Sequence, residues 1–148
     1  MGGGIMAQDI EFGVTHVGLD ELIRDIMAAG DVPDEVQKNM VRAKAKIVEE
    51  AEVYTAGTML VGPYYKGGVA RSVTAKKPVM RKNGAQVDIV FKGTQHGNRL
   101  GEIAFVNEHG KKSQPARPFI KRALEISKDA ATAAAYKEML VWLKDHNL

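Results

Sequence analysis

Four histidines are the first place to look for chemistry: His16, His96, His109 and His146. No two stand at the i, i+4 spacing that puts two imidazoles on one helix face. None falls in an H-E-x-x-H or H-x-E pattern. Glu108-His109 and Asp145-His146 are the adjacent acid–imidazole pairs. The first sits in a segment that alternates like a strand, where neighbours point to opposite faces and cannot readily share a ligand. There is no cysteine, which excludes disulfides, Cys-based zinc sites and thiol nucleophiles. Ser72, Ser113 and Ser127 have no nucleophile elbow around them. Gly67-Gly68 and Gly2-Gly3-Gly4 lack the strand–turn–helix frame and the Lys-Ser/Thr of a phosphate loop. The acid cluster Glu49-Glu50-Glu52 reads as a solvated helix face. No catalytic, metal-ligating or cofactor-binding residue is assigned, and no cofactor. The expectation is a protein that is not an enzyme; a site assembled from scattered polar residues is the weakest reading.

The charge distribution says more. The net charge is +3, but residues 66–122 carry 13 Lys/Arg against three acids. The rest of the chain carries 8 Lys/Arg against 15 acids. A basic middle segment is either a solvated face or a surface that meets a polyanion or an acidic partner. The candidate patch is Lys76, Lys77, Arg81 and Lys82 around one turn, joined by Lys111 and Lys112 from a later connector. With 148 residues, 45% hydrophobic and 26% charged, the chain has the make-up of one globular domain. No apolar run approaches the ~18 residues that span a bilayer. The opening M-G-G-G-I-M lacks the basic and apolar regions of a signal peptide. Residues 1–8 are taken as a flexible lead-in and 9–148 as the single domain.

The elements that would position these groups follow from periodicity. Asp9 to Val17 alternates, with Ile10, Phe12, Val14 and His16 of one parity, so a single strand is expected. Gly18-Leu19-Asp20-Glu21 opens a helix that Gly30 ends. Pro33 starts a long second helix, with Val36, Met40, Ala43, Ile47, Ala51 and Tyr54 as its buried stripe. Gly57 to Gly68 holds four glycines and a proline, and is expected to be a loop. Met59, Leu60, Val61, Tyr64 and Tyr65 on it are a candidate docking segment. They either pack on the domain's own sheet or dock on another subunit. The tip is expected to be mobile in the isolated protein and ordered in an assembly. Three strands come next: Arg71–Met80 broken near Pro78, Gln86–Lys92 after an Asn83-Gly84 hairpin, and Glu102–Glu108. Pro118 starts the last helix, with a kink expected near Ser127-Lys128-Asp129. The fold class is therefore α+β, in the order β-α-α-β-β-β-α. A small antiparallel sheet of about four strands packs against the long helix and the C-terminal helix.

One stretch is more specific. Residues 102–124 read E-I-A-F-V-N-E-H-G-K-K-S-Q-P-A-R-P-F-I-K-R-A-L. Two prolines, Pro115 and Pro118, hold the chain extended and set φ at a helix start. That aims Phe119 and Ile120 into a core and leaves Arg117 at the junction, free to pair with an acid. Fold specification is the first reading of Pro115, Arg117, Pro118 and Phe119.

The same stretch resembles the signature of the tailed-phage head–tail joining proteins, also called tail completion or neck proteins. Their strand ends near "Y/F-V-E-Y-G", and "Q-P-A-R-P-F-L" opens their final helix. Val17-Gly18-Leu19-Asp20-Glu21-Leu22 is similar to the family's "GLDEL" start. Gly62-Pro63 with Gly68-Val69-Ala70-Arg71-Ser72-Val73 is similar to its "AP…TG-x-L-R-x-S-I" segment. Gly67 stands where Thr is usual, just after Tyr64-Tyr65. The resemblance covers roughly residues 10–147. It implies a structural virion protein, made in the bacterial host cytoplasm and placed in the neck. There it would join other neck and tail proteins as a homo-oligomeric ring around the DNA channel, with non-specific DNA contact and no membrane. The alternative is a small basic nucleic-acid-binding module using residues 66–122. Against that stand few aromatics for stacking and no helix-turn-helix or RNA-binding signature.

Overall fold

A computed structural model describes residues 8–11, 13–30, 32–62 and 67–146. Strands β1 (Gln8–Glu11) and β2 (Val14–Gly18) are followed by helices α1 (Glu21–Gly30) and α2 (Asp34–Met59). A short helix α3 (Gly68–Ser72) leads to strands β3 (Val73–Ala75), β4 (Val79–Arg81) and β5 (Gly84–Phe91). A small hairpin, β6 (Thr94–Gln95) and β7 (Asn98–Arg99), precedes helices α4 (Leu100–His109) and α5 (Phe119–Asp145). The class is α+β. The main sheet runs β1-β2-β5-β3, with β4 on the same edge of β5 as β3, and every pairing is antiparallel.

Three expectations about strands are corrected. Residues 9–17 are not one strand but a hairpin, because Gly13 at φ +79° turns the chain between Glu11 and Val14. In β2 the core takes the other parity: Thr15 and Val17 are buried, while Val14 and His16 are half-buried. Glu102–Glu108 is helical, inside α4. Its inward residues are Leu100, Ala104, Asn107 and Glu108, at helical spacing, but two of the four are polar. That left the fortuitous alternation Ile103, Phe105 as the louder apolar signal. Ahead of α4, Thr94–Arg99 forms the β6–β7 hairpin. The Asn83-Gly84 turn stands where expected, with Arg81 opposite Gly84, and Gly84 has φ +103°. Ala85, Val87, Ile89 and Phe91 of β5 all face inward. Lys76–Pro78 is the break between β3 and β4.

α2 is the central element. It packs on β2, β3 and β5 and along α5. Its buried residues are Val36, Met40, Val41, Lys44, Ala45, Val48, Glu52, Thr55 and Ala56. At ~100° per residue they cover an arc of about 200°, wide enough to touch both sheet and α5. Val36 and Met40 of the expected stripe are in this core, but the centre of the buried arc lies about a quarter-turn from the rest of it. Ala43, Ile47 and Ala51 lie at the margin of the core, and Tyr54 is 63% exposed. The expected loop from Gly57 begins later, because α2 runs on to Met59.

α5 runs without a break from Phe119 to Asp145, so the expected kink is absent. Its inward residues are Phe119, Ile120, Ala123, Ser127, Ala131, Ala135 and Met139. Ser127 is the polar member of this i, i+4 chain that made the stripe look interrupted. The start of α5 abuts the end of α2, where the Thr55 hydroxyl donates to the Phe119 carbonyl at 2.8 Å. Phe119 is fully buried and meets Phe91 of β5 edge-on, with ring centroids 5.8 Å apart. Ile47 is only half-buried, packed at the edge of the core. No helix among the described residues is long and apolar enough to cross a membrane.

Candidate functional site

The segment 107–120 is a joint between α4 and α5, and several of its residues hold it together. Gly110 ends α4 at φ +76°, a conformation that favours glycine. A Cβ there would lie 2.8 Å from the Ala116 backbone nitrogen. The Asn107 carbonyl accepts from the Arg117 N–H, and its side chain joins Gln114 to the Ile103 carbonyl. The Arg117 guanidinium donates to the Val61 carbonyl at 3.0 Å. At the junction, where the sequence left Arg117 free to pair with an acid, this bond ties the start of α5 to the exit of α2. Pro118 stands just before the first residue of α5, as its spacing predicted.

Glu108 is the residue that sequence reasoning missed in this joint. It is buried, and its two carboxylate oxygens accept from the backbone N–H groups of Ile120 (2.7 Å) and Lys121 (3.1 Å). It thus caps the start of α5 from a different helix, satisfying donors that every helix leaves open. Burial pushes the Glu108 carboxyl up, against those two N–H donors and the nearby His109 and Lys121 charges. His109 points outward and lies against the Phe105 ring, centroids 4.7 Å apart.

The expected basic patch divides in two. Lys76 and Lys77, between β3 and β4, line an open groove of about 630 Å³ beside α2. Its other cationic walls are Lys38, Arg42 and Lys46, one helical turn apart along α2. Arg81 and Lys82 are exposed at the β4–β5 turn. That turn meets α1, whose Arg24 guanidinium contacts the Asn83 carbonyl at 3.4 Å. Lys111 and Lys112 lie elsewhere. Lys111 lines a second cavity of about 470 Å³, between the end of α2 (Ala56, Leu60), α3 and α4. Arg42 and Ala56 are about 21 Å apart along the helix. The single patch drawn from a meander fails because 102–108 is a helix, which carries its connector to the other end of the domain.

The candidate docking segment also divides. Met59 and Leu60 pack against Phe119 and its neighbours, so they belong to this chain's own core. Val61 is 57% exposed. Tyr64 and Tyr65, with the expected mobile tip, lie outside the described residues.

Two further polar clusters were not foreseen. On the outer face of the sheet His16 Nδ1 lies 2.7 Å from Asp88 Oδ1, across the β2–β5 pair, and Gln86 donates to the same oxygen. Burial works to raise the Asp88 carboxyl. The His16 and Gln86 bonds and the His16 and Arg81 charges outweigh it and hold the group below its usual value. In the interior, Lys44 donates to the Gly18 carbonyl at 2.8 Å and lies 3.5 Å from Asp20, and burial lowers its pKa. Glu52 is fully buried, and neither carboxyl oxygen has a hydrogen-bond partner among the described residues. Burial raises its pKa to about 8; the nearby Thr15 hydroxyl pulls it down, and the Glu108 and Glu49 charges push it further up. Thr15 sits close enough to act on that charge but not in good hydrogen-bond geometry. The acid cluster read as a solvated face therefore has one member inside the core. No group of three or more His, Asp or Glu among the described residues is arranged to hold a metal ion. No protein-family model matches this chain, and no curated protein or solved structure matches it either.

Proposed function

We propose that this chain is a structural virion protein of a tailed phage or prophage, a ring-forming component of the neck that joins head to tail. The observation that carries the reading is segment 102–124. Its residues resemble the head–tail joining signature, and Glu108, Gly110 and Arg117 within it connect α4, α5 and the end of α2, with Phe119 buried against Phe91 of β5. A ring component needs a defined subunit shape more than it needs a reactive group. It also needs surface for neighbours. Tyr54 on α2 and Leu140 and Val141 on α5 are 63%, 60% and 49% exposed. Large apolar side chains left on the outside of a helical layer suit a subunit contact.

Deletion of the gene from its phage or prophage, followed by induction and electron microscopy, tests the reading. Filled heads without attached tails, corrected by supplying the wild-type chain, are the expected outcome. Normal tailed, infectious particles from the deletion would refute it.

A further inference from the structure

The groove between α2 and the β3–β4 connector has a composition that the neck reading does not by itself explain. Lys38, Arg42, Lys46, Lys76 and Lys77 line it, against two acids, Glu35 and Glu49. Glu49 is already committed: its Oε2 accepts from the Ala75 N–H at 2.6 Å and closes off the sheet edge there. None of the five cations has an ion-pair partner among the described residues. Lys38, Arg42 and Lys46 follow one another at four-residue intervals, each step rising about 6 Å along the helix. Lys76 and Lys77 face them from the connector. The result is two facing rows of positive charge along an open channel, with Ala45, Ala75, Pro78 and Val87 between them.

We infer that this groove binds the phosphate backbone of double-stranded nucleic acid. Like charges facing one another across a groove repel, and an anion between them removes the repulsion. Four of the five cations are Lys, which approaches phosphate as a point charge without demanding a fixed fork geometry. Protein–protein interfaces are depleted in Lys and built around aromatic or apolar anchors; no aromatic side chain lines this groove. The missing aromatics also remove the stacking platform that single strands need. Contact through phosphates alone carries no sequence information. The binding is therefore sequence-independent and driven by counterion release. The inference rests on the neck reading only for where nucleic acid is met, in the channel of the ring. That the groove takes phosphates follows from its own chemistry.

Fluorescence anisotropy of the full chain with a labelled duplex of about 30 base pairs tests it, from about 25 to 200 mM salt. Five phosphate contacts give a log–log salt slope of about −4.5, so affinity should fall about 500-fold between about 50 and 200 mM. Replacing Lys38, Arg42 and Lys46 together by Ala should flatten the slope by about 2.7. The thermal midpoint should hold, since none of the three side chains is in the core. Lys111→Ala with Lys112→Ala is the control and should leave the slope unchanged. No binding at about 25 mM salt would overturn the inference, as would a slope that the triple variant does not alter. Poly-glutamate displacing the duplex at equal charge concentration would assign the groove to an acidic protein instead. The particle assay above can fail while this one succeeds, and the reverse, so the two readings are judged separately.

Discussion

Glu52→Gln should make the protein more stable, and increasingly so as pH rises. Glu52 is fully buried in the face of α2, with no hydrogen bond to either oxygen among the described residues. Its folded pKa is about 8, against an ordinary value of 4.5. Below pH 4.5 both the folded and the unfolded chain hold the proton, and the group contributes no pH dependence. Between the two values the unfolded chain gives up the proton and the folded one keeps it. Folding then costs about 1.4 kcal/mol more for each pH unit. The accumulated penalty is about 3 kcal/mol at neutral pH and levels off near 5 kcal/mol above the folded pKa. The amide has the shape of the neutral acid and cannot ionise, so it escapes the penalty. Urea unfolding of both proteins at about pH 5 and about pH 8.5 reads the effect. The difference in unfolding free energy should widen by about 4 kcal/mol in favour of the variant. Any constant offset from the amide's own bonding cancels between the two pH values. Titrating groups remote from Glu52 are shared and cancel, while the response of Glu49 and Glu108, which feel its charge, is part of the difference. A difference that stays constant across this window would refute the argument, because it would mean that Glu52 is already ionised in the folded protein.

Phe119→Ala should cost about 3–5 kcal/mol by urea unfolding, because the ring is fully buried against Phe91 and no neighbour can fill its volume cheaply. Gly110→Ala should cost about 1–3 kcal/mol, since the new Cβ meets the Ala116 backbone at 2.8 Å in a positive-φ conformation; an unchanged midpoint would show that the joint can relax. Glu108→Ala should cost about 1–3 kcal/mol by leaving the Ile120 and Lys121 N–H groups without their acceptor. Glu108→Gln keeps one acceptor oxygen and should lose less, and hydrogen exchange in the first turn of α5 separates the two.

The fold was legible wherever the buried positions were apolar. β5, the turn before it, α1 and the start of α5 all follow from alternation, Asn-Gly chemistry, a glycine stop and a proline start. It was misread wherever the inward positions were polar. Lys44, Glu52 and Thr55 occupy the buried face of α2, so the hydropathy pattern pointed about a quarter-turn away, towards an exposed Tyr54. Ser127 broke an otherwise continuous stripe on α5. Asn107 and Glu108 left α4 with too few apolar inward residues to announce a helix. Each of these polar groups except Glu52 and Ser127 has a hydrogen-bond partner from another element or turn. Such partners are set by tertiary structure, and a periodicity argument cannot see them.

The candidate site shows the same limit for charge. The excess of cations in residues 66–122 drew attention to Lys76 and Lys77, which do line the groove. The other row comes from α2, which carries five acids and four cations and so looks neutral when counted along the chain. Its charges are sorted by position in the helix. Asp34 and Glu35 occupy the first turn, where the dipole favours acids. Glu52 and Lys44 are inside, and Glu49 is bonded to the sheet edge. Glu50 is exposed but does not line the groove. Lys38, Arg42 and Lys46 do, along the side of the helix that meets the β3–β4 connector, with Glu35 and Glu49 beside them. Lys111 and Lys112, counted with Lys76 and Lys77 in sequence, are carried away by α4. A partner meets the charge of a face, not the charge of a segment. Because the β3–β4 connector lies beside α2, cations from two distant parts of the chain line one groove.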